Sequence, residues 1–80
     1  MNKPASRIAT STADTLLAMF AGQTVSYDEM GAVVEQQYAM ARRRTTYGSY
    51  AQIHNAIERA GARSHGGITT TDRFCTFPAN

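Results

Sequence analysis

Cysteine is almost absent from this chain of 80 residues, in which Cys75 is the one cysteine. A single cysteine excludes an intramolecular disulfide and any metal site built on a pair of cysteines. The two histidines, His54 and His65, have no third ligand at a usual spacing, so a zinc site is not expected. We therefore predict a protein without a bound metal or another cofactor.

Long apolar runs are missing as well. No segment approaches the roughly 20 apolar residues that a membrane span requires, and the N-terminus lacks the continuous apolar segment of a signal peptide. We expect a soluble, cytoplasmic protein with no membrane partner. Charged residues are scarce at 18%, whereas apolar residues make up 42%, and this balance indicates a folded domain rather than a disordered chain.

The short length limits the classes of function. A chain of 80 residues is one domain, and it buries only roughly 60–65% of its unfolded surface. A deep pocket for a small-molecule substrate is therefore not expected. The sequence contains no glycine-rich phosphate loop and no local grouping of serine, histidine and carboxylate. We predict that the protein is not an enzyme and has no catalytic residues.

The basic residues are distributed unevenly along the chain. Six arginines lie in the second half, where Glu58 and Asp72 are the only acidic residues. These arginines are Arg42, Arg43, Arg44, Arg59, Arg63 and Arg73. Such an asymmetry is typical of proteins that bind a polyanion such as nucleic acid. A solvated basic surface explains the charge equally well, so the fold has to be considered with it.

The first strong pattern along the chain is a helix. Apolar residues recur at helical spacing after Ser11 and Thr12, either of which is a suitable N-cap. Gly22 is expected to end this helix in a left-handed conformation. Residues 1–9 are predicted to be a flexible lead-in, and the folded domain is predicted to span residues 10–80.

Two capping motifs predict the next two helices. Residues 23–26 are expected to form a short strand, and the pair Ser26 and Glu29 then predicts the start of the second helix. A similar pattern at Ser49 predicts the start of the third helix. Residues 39–48, between these helices, are compatible either with a loop or with an extension of the second helix.

The last part of the chain changes to strand-forming residues. Residues 68–71 and 74–77 are predicted to form a hairpin, with Asp72 and Arg73 at its turn. The strand at residues 23–26 is the natural third member of that sheet. The order helix, strand, helix, helix, hairpin predicts an α+β, mostly helical fold, a winged helix-turn-helix with the hairpin as its wing.

Three pieces of the sequence together are similar to a known family. The first piece is a leucine-rich helix followed by a glycine, a valine–serine pair and an acidic start to the next helix. The second is a run of arginines that precedes a helix containing Ile53 and Ile57. The third is the β-prone hairpin that follows. In these features the stretch from Thr12 to Phe77 resembles the winged-helix effector domain of OmpR/PhoB-type response regulators. The resemblance implies the fold and DNA binding. It does not imply signalling, because we expect neither the receiver domain nor the N-terminal sheet of that family in this sequence.

Base recognition is expected on the exposed face of the third helix. A helical wheel with Ile53 towards the core places Gln52, Asn55 and Arg59 on the far side. Asparagine and glutamine can pair bidentately with adenine, and arginine with guanine or a phosphate. Any exposed helix face is polar, so a solvated surface is the competing interpretation.

Phosphate contacts are expected from residues around that helix. The arginines at 42–44 precede it, and Thr46 and Ser49 can donate hydrogen bonds to phosphate oxygens. Arg73, at the predicted wing tip, is expected to enter the minor groove. A solvated basic turn, or pairing of Arg73 with Asp72, is the alternative in each case.

These observations predict a small sequence-specific double-stranded DNA-binding protein, a transcriptional regulator of the kind that phages and mobile elements encode. One short helix rarely supplies enough affinity, so a homodimer on two half-sites is expected. The alternative is a winged-helix protein-binding module, such as an inhibitor of a host polymerase or nuclease, which Tyr47 and Tyr50 beside the third helix would suit. A helix-turn-helix that binds RNA is a third possibility.

Overall fold

The computed structural model describes residues 6–79, which form three helices and a three-stranded antiparallel sheet. The elements are α1 (Arg7–Met19), β1 (Thr24–Ser26), α2 (Tyr27–Met40), α3 (Tyr47–Arg59), β2 (Arg63–Gly66) and β3 (Arg73–Thr76). The strand order in the sheet is β1-β3-β2. This order of helices and strands confirms the predicted α+β winged helix-turn-helix fold, in which β2 and β3 form the wing.

Helix α1 begins earlier than its sequence pattern predicts. The Ser6 hydroxyl caps it by accepting a hydrogen bond from the Ala9 amide at 3.2 Å. Ala9 is buried in the core, so the apolar face of the helix extends one turn further towards the N-terminus. The predicted start near Ser11 or Thr12 is wrong because both residues lie inside the helix, where Thr12 is fully buried.

The predicted lead-in of residues 1–9 is affected by this earlier start. Residues 1–5 lie outside the described residues, whereas residues 7–9 belong to α1. Ile8 packs against the core. The folded domain therefore includes residues that precede the predicted boundary at residue 10.

The short strand β1 and the start of α2 follow the sequence prediction closely. Val25 of β1 is buried and pairs with Cys75 of β3 in an antiparallel register. The Ser26 hydroxyl then caps α2 by accepting a hydrogen bond from the Glu29 amide at 3.1 Å. Asp28 and Glu29 lie in the first turn of α2, where acidic side chains interact favourably with the helix dipole.

The hairpin uses a different first strand from the one predicted. Strand β2 is Arg63–Gly66, paired with β3 from Arg63 opposite Thr76 to Gly66 opposite Arg73. Residues 68–71, predicted as a strand, lie in the connection between the two strands, here called the wing loop (residues 67–72). Gly66 has a φ of +107°, and a Cβ at this position would collide with the backbone oxygen of Asp72. The hairpin therefore turns at the glycines, and β-propensity alone misplaces the strand by several residues.

The core lies between the three helices and the inner face of the sheet. Leu16 of α1 and Ile53 and Ile57 of α3 are almost completely buried. The other buried apolar residues are Ala9, Ala13, Val25, Met30, Val34, Tyr38, Ala62, Cys75 and Phe77. Because Ile53 and Ile57 are buried on one side of α3, the opposite side of that helix faces solvent.

Candidate nucleic-acid interface

Helix α3 begins at Tyr47, ahead of the start predicted at Ser49. Thr46 is its N-cap, and the two side chains of Thr46 and Ser49 form a reciprocal capping box. Each hydroxyl accepts the backbone amide of the other residue at 3.1 Å, and the two hydroxyl oxygens are also 3.1 Å apart. These hydroxyls were expected to contact phosphates, but their first role is to hold the start of α3.

The outward face of α3 contains two of the three residues that were predicted to contact bases, Asn55 and Arg59, together with Ala51. Ala51, Asn55 and Arg59 are exposed, on the side opposite the buried Ile53 and Ile57. Glu58 is exposed as well, and sequence reasoning did not place it on this helix face, although the same helical wheel contains the information. A carboxylate beside Asn55 can accept a hydrogen bond from cytosine, so its presence is compatible with base recognition.

Gln52 differs from its prediction as a base-reading residue. Its side-chain oxygen accepts a hydrogen bond from the Ser6 amide at 3.0 Å, and the residue is half-buried. This bond satisfies one of the amides at the start of α1, which has no partner within that helix. Gln52 therefore connects α3 to α1. No local sequence signal shows this, because the two residues are 46 positions apart.

The connection between α2 and α3, here called the arginine turn (residues 41–46), contains three exposed arginines, Arg42, Arg43 and Arg44. Helix α2 ends at Met40, so residues 39–48 comprise a helix end, a turn and the start of α3. The three arginines therefore project from a short connection at one end of α3.

The arginine turn begins with a backbone conformation that is unusual for arginine. Arg42 has a φ of +55°, in the left-handed region where helix C-termini usually place glycine. Its amide donates to the Ala39 oxygen at 3.0 Å, and the Arg43 amide donates to the Tyr38 oxygen at 2.9 Å. This Schellman pattern ends α2 in a defined way. The left-handed conformation costs a side-chain-bearing residue about 1–2 kcal/mol.

Replacing Arg42 by glycine is expected to stabilise the fold by about 1 kcal/mol, because glycine adopts the left-handed conformation without that cost. In a domain of this size the midpoint of thermal unfolding should rise by roughly 4–8 °C. Arg43→Gly is the matched control, since it removes the same type of side chain at the neighbouring position. Equal or lower stability of Arg42→Gly relative to the wild type in thermal unfolding would contradict the argument.

A hydrogen-bond network around Glu35 holds the arginine turn in place. The Thr45 hydroxyl donates to the Glu35 carboxylate at 2.8 Å, and the Tyr50 hydroxyl donates to the same carboxylate oxygen. Both bonds lower the pKa of Glu35, and the bond from Tyr50 has the larger effect. Burial, together with the bond to Glu35, raises the pKa of Tyr50 to about 12. The network joins α2, the arginine turn and α3, so the three arginines have a defined position relative to the exposed face of α3.

Arg73 is not at the wing tip, where the sequence placed it. It is the first residue of β3, and it is half-buried. Its guanidinium lies over the ring of Tyr27, 5.4 Å from the centroid, an arrangement typical of a cation–π interaction. The prediction was wrong because it rested on a hairpin whose turn was misplaced.

Beneath Arg73, Tyr27 also stacks on His54, with 4.9 Å between the ring centroids. Burial lowers the pKa of His54; Glu58 opposes this effect and Arg73 adds to it. His54 is therefore less readily protonated than an exposed histidine. It therefore acts as a packing residue between α2, α3 and the wing rather than as a cation on the binding surface.

In the part of the chain that the structure describes, no group of three or more histidine, cysteine, aspartate or glutamate side chains is arranged to hold a metal ion. The helices within residues 6–79 are too short or too polar to cross a membrane. The three exposed arginines of the arginine turn directly precede α3.

Comparison with protein-family models, curated proteins and solved structures finds no match to this chain. The resemblance to OmpR/PhoB-type effector domains accordingly stays a prediction, based on the residues quoted for it. The fold itself defines the class, a winged helix-turn-helix domain.

Proposed function

We propose that this protein binds double-stranded DNA sequence-specifically and acts as a transcriptional regulator. The observation that supports the proposal most strongly is the arginine turn, in which Arg42, Arg43 and Arg44 are exposed directly before α3. Three adjacent cations at one end of an exposed helix match the phosphates that border a DNA groove.

In this proposal α3 enters the major groove. Its 13 residues give a length of roughly 20 Å, enough to cross a groove that is about 12 Å wide. Ala51 is exposed and small, so the helix backbone can approach the bases closely. Asn55 and Arg59 then lie on the side that faces base edges, where asparagine pairs with adenine and arginine with guanine. The arginine turn follows the phosphate backbone at the edge of the groove.

The proposed active form is a homodimer. One helix with two base-reading side chains makes few specific contacts, and two copies on a palindromic operator double them. In the usual geometry the two recognition helices are about 34 Å apart, one turn of DNA. The monomer extends over 28 × 24 × 22 Å, so two copies placed side by side are compatible with that spacing.

The direct test is equilibrium binding of the wild-type protein to random-sequence duplex DNA over a series of salt concentrations. We expect binding at low salt and a linear fall of log K with log salt, with a slope of about −0.9 for each phosphate contact. Random-sequence duplex RNA of the same length should bind more weakly, because its deep, narrow major groove does not admit a helix. Absence of DNA binding at low salt would refute the proposal.

A protein-binding function is the second candidate, and one observation favours it. Tyr47 is 92% exposed and Met40 is 70% exposed, and these residues flank the arginine turn. Tyrosine, methionine and arginine are the residue types enriched at protein interfaces. Binding to a purified host polymerase or nuclease that Tyr47→Ser abolishes and Arg7→Ala preserves would support this candidate, provided that DNA binding is absent.

A further inference from the structure

The wing loop presents one large apolar side chain to solvent. Ile68 is 99% exposed, in a loop that begins with Gly67 and ends with Asp72. Isoleucine is among the residues most often found inside proteins. Because Ile68 is not buried, its side chain contributes nothing to the packing of the domain. Core packing therefore does not explain why an isoleucine occupies this position.

The loop that presents Ile68 is closed by its own hydrogen bonds. The Gly67 amide donates to the Asp72 oxygen at 3.0 Å, and the Asp72 amide donates to the Thr69 oxygen at 3.1 Å. The Thr69 hydroxyl donates to the Asp72 carboxylate at 3.1 Å. The only carboxylate of the loop is therefore used internally. A loop held in this way loses little conformational entropy when its tip inserts into a partner.

The wing loop contains no basic residue, because Arg73 lies in β3 over Tyr27. The loop therefore offers no cation to the DNA, and the arginine that was predicted to enter the minor groove from its tip is not part of it. The features that it does offer are an apolar tip and three threonines, residues 69–71. A wing of this chemistry matches the apolar wedges that minor-groove proteins insert between base pairs.

The wing loop lies at the edge of a cleft that α2 and α3 also line. Thr70 of the loop, Glu35 of α2 and Tyr50 of α3 line one cleft with a volume of about 350 Å³. The same Glu35 carboxylate binds Thr45 of the arginine turn. The Thr71 hydroxyl lies 3.5 Å from the Asp28 carboxylate at the start of α2. The wing loop therefore lies close to the start of α2 and borders the same cleft as Tyr50 of α3.

We propose that Ile68 is an apolar wedge that enters the minor groove next to the site of α3 and bends the DNA. This inference rests on the proposed DNA-binding function. Insertion unstacks a base step, which costs least at flexible pyrimidine–purine steps such as TpA. The wing thus adds a preference for deformable DNA to the base contacts of α3, without hydrogen bonds to the bases.

The experiment compares the wild type with Ile68→Asn, which removes the wedge, and Ile68→Leu, which keeps an apolar side chain. Met19→Gln, at another exposed apolar residue on α1, is the control for loss of surface hydrophobicity. The probe is a duplex rich in TpA steps with donor and acceptor dyes at its two ends. Energy transfer reports bending, and fluorescence anisotropy over a salt series reports affinity.

We expect the wild type, Ile68→Leu and Met19→Gln to bend the duplex. Ile68→Asn should leave it straight and bind it about tenfold more weakly, the effect of losing one buried aliphatic side chain. Its salt slope should equal that of the wild type, because no phosphate contact is lost. If the wild type binds without bending the duplex, or if Ile68→Asn bends it equally, the wedge is refuted while the proposed function stands. If the wild type fails to bind at all, both are refuted.

Discussion

Replacing Arg42, Arg43 and Arg44 together by alanine is expected to weaken DNA binding about a hundredfold at moderate salt. Each arginine that contacts a phosphate contributes about 1 kcal/mol, and the three lie on one exposed turn. The slope of log K against log salt should become shallower by about 3, since three fewer counterions are released on binding. Anisotropy measurements with random-sequence duplex DNA provide both quantities.

Single variants make this result specific to the arginine turn. Arg43→Ala should reduce both affinity and salt slope, whereas Arg7→Ala removes the same charge from the exposed start of α1 and should change neither. Arg43 is the better single test, because Arg42 has the left-handed backbone conformation described above, so its substitution also affects the end of α2. Equal effects of Arg43→Ala and Arg7→Ala would show that overall charge matters and that the arginine turn has no special role.

Replacing Ile57 by alanine is expected to destabilise the protein by about 2–5 kcal/mol. Ile57 is fully buried in α3, so truncation loses the transfer free energy of three carbons and leaves a cavity. A chain of this length has a total stability of roughly 4–12 kcal/mol, so a large part of it would be lost. Urea unfolding followed by circular dichroism measures the difference.

The protein contains a matched control for that substitution. Ile68→Ala makes the same chemical change at a residue that is 99% exposed, and it should alter the free energy of unfolding by less than about 0.5 kcal/mol. The contrast separates the two isoleucines, one required for the fold and the other available for a partner. A large destabilisation by Ile68→Ala would mean that the wing loop packs against the body of the protein.

The parts of the fold that could be predicted depend on local chemistry. A helix N-cap involves residues that are three positions apart, so the pair Ser26 and Glu29 correctly predicted the start of α2. The apolar spacing of Ile53 and Ile57 identified the core face of α3 for the same reason. The order of elements, and with it the winged-helix class, followed from signals of this kind.

The prediction of the candidate interface was less complete, because several of its residues are placed by distant partners. The position of Arg73 depends on which residues form β2. Residues 68–71 have the higher β-propensity, but the positive φ of Gly66 places the turn after it, so that β2 is Arg63–Gly66. Gln52, predicted to contact bases, is held by a hydrogen bond to Ser6, which lies 46 positions away in the chain. Neither fact has a signature within a few residues of the site.

Sequence alone thus determined the helices, the class of the fold, the buried face of α3 and the cluster of three arginines, since each depends on neighbouring residues. The tertiary structure alone decided where the hairpin turns, which side chains remain available on α3, and that the wing presents Ile68 rather than an arginine. The physical reason is that strand register and helix–helix contacts are selected by packing across the whole domain. Local propensity cannot encode contacts between residues that are far apart in the chain.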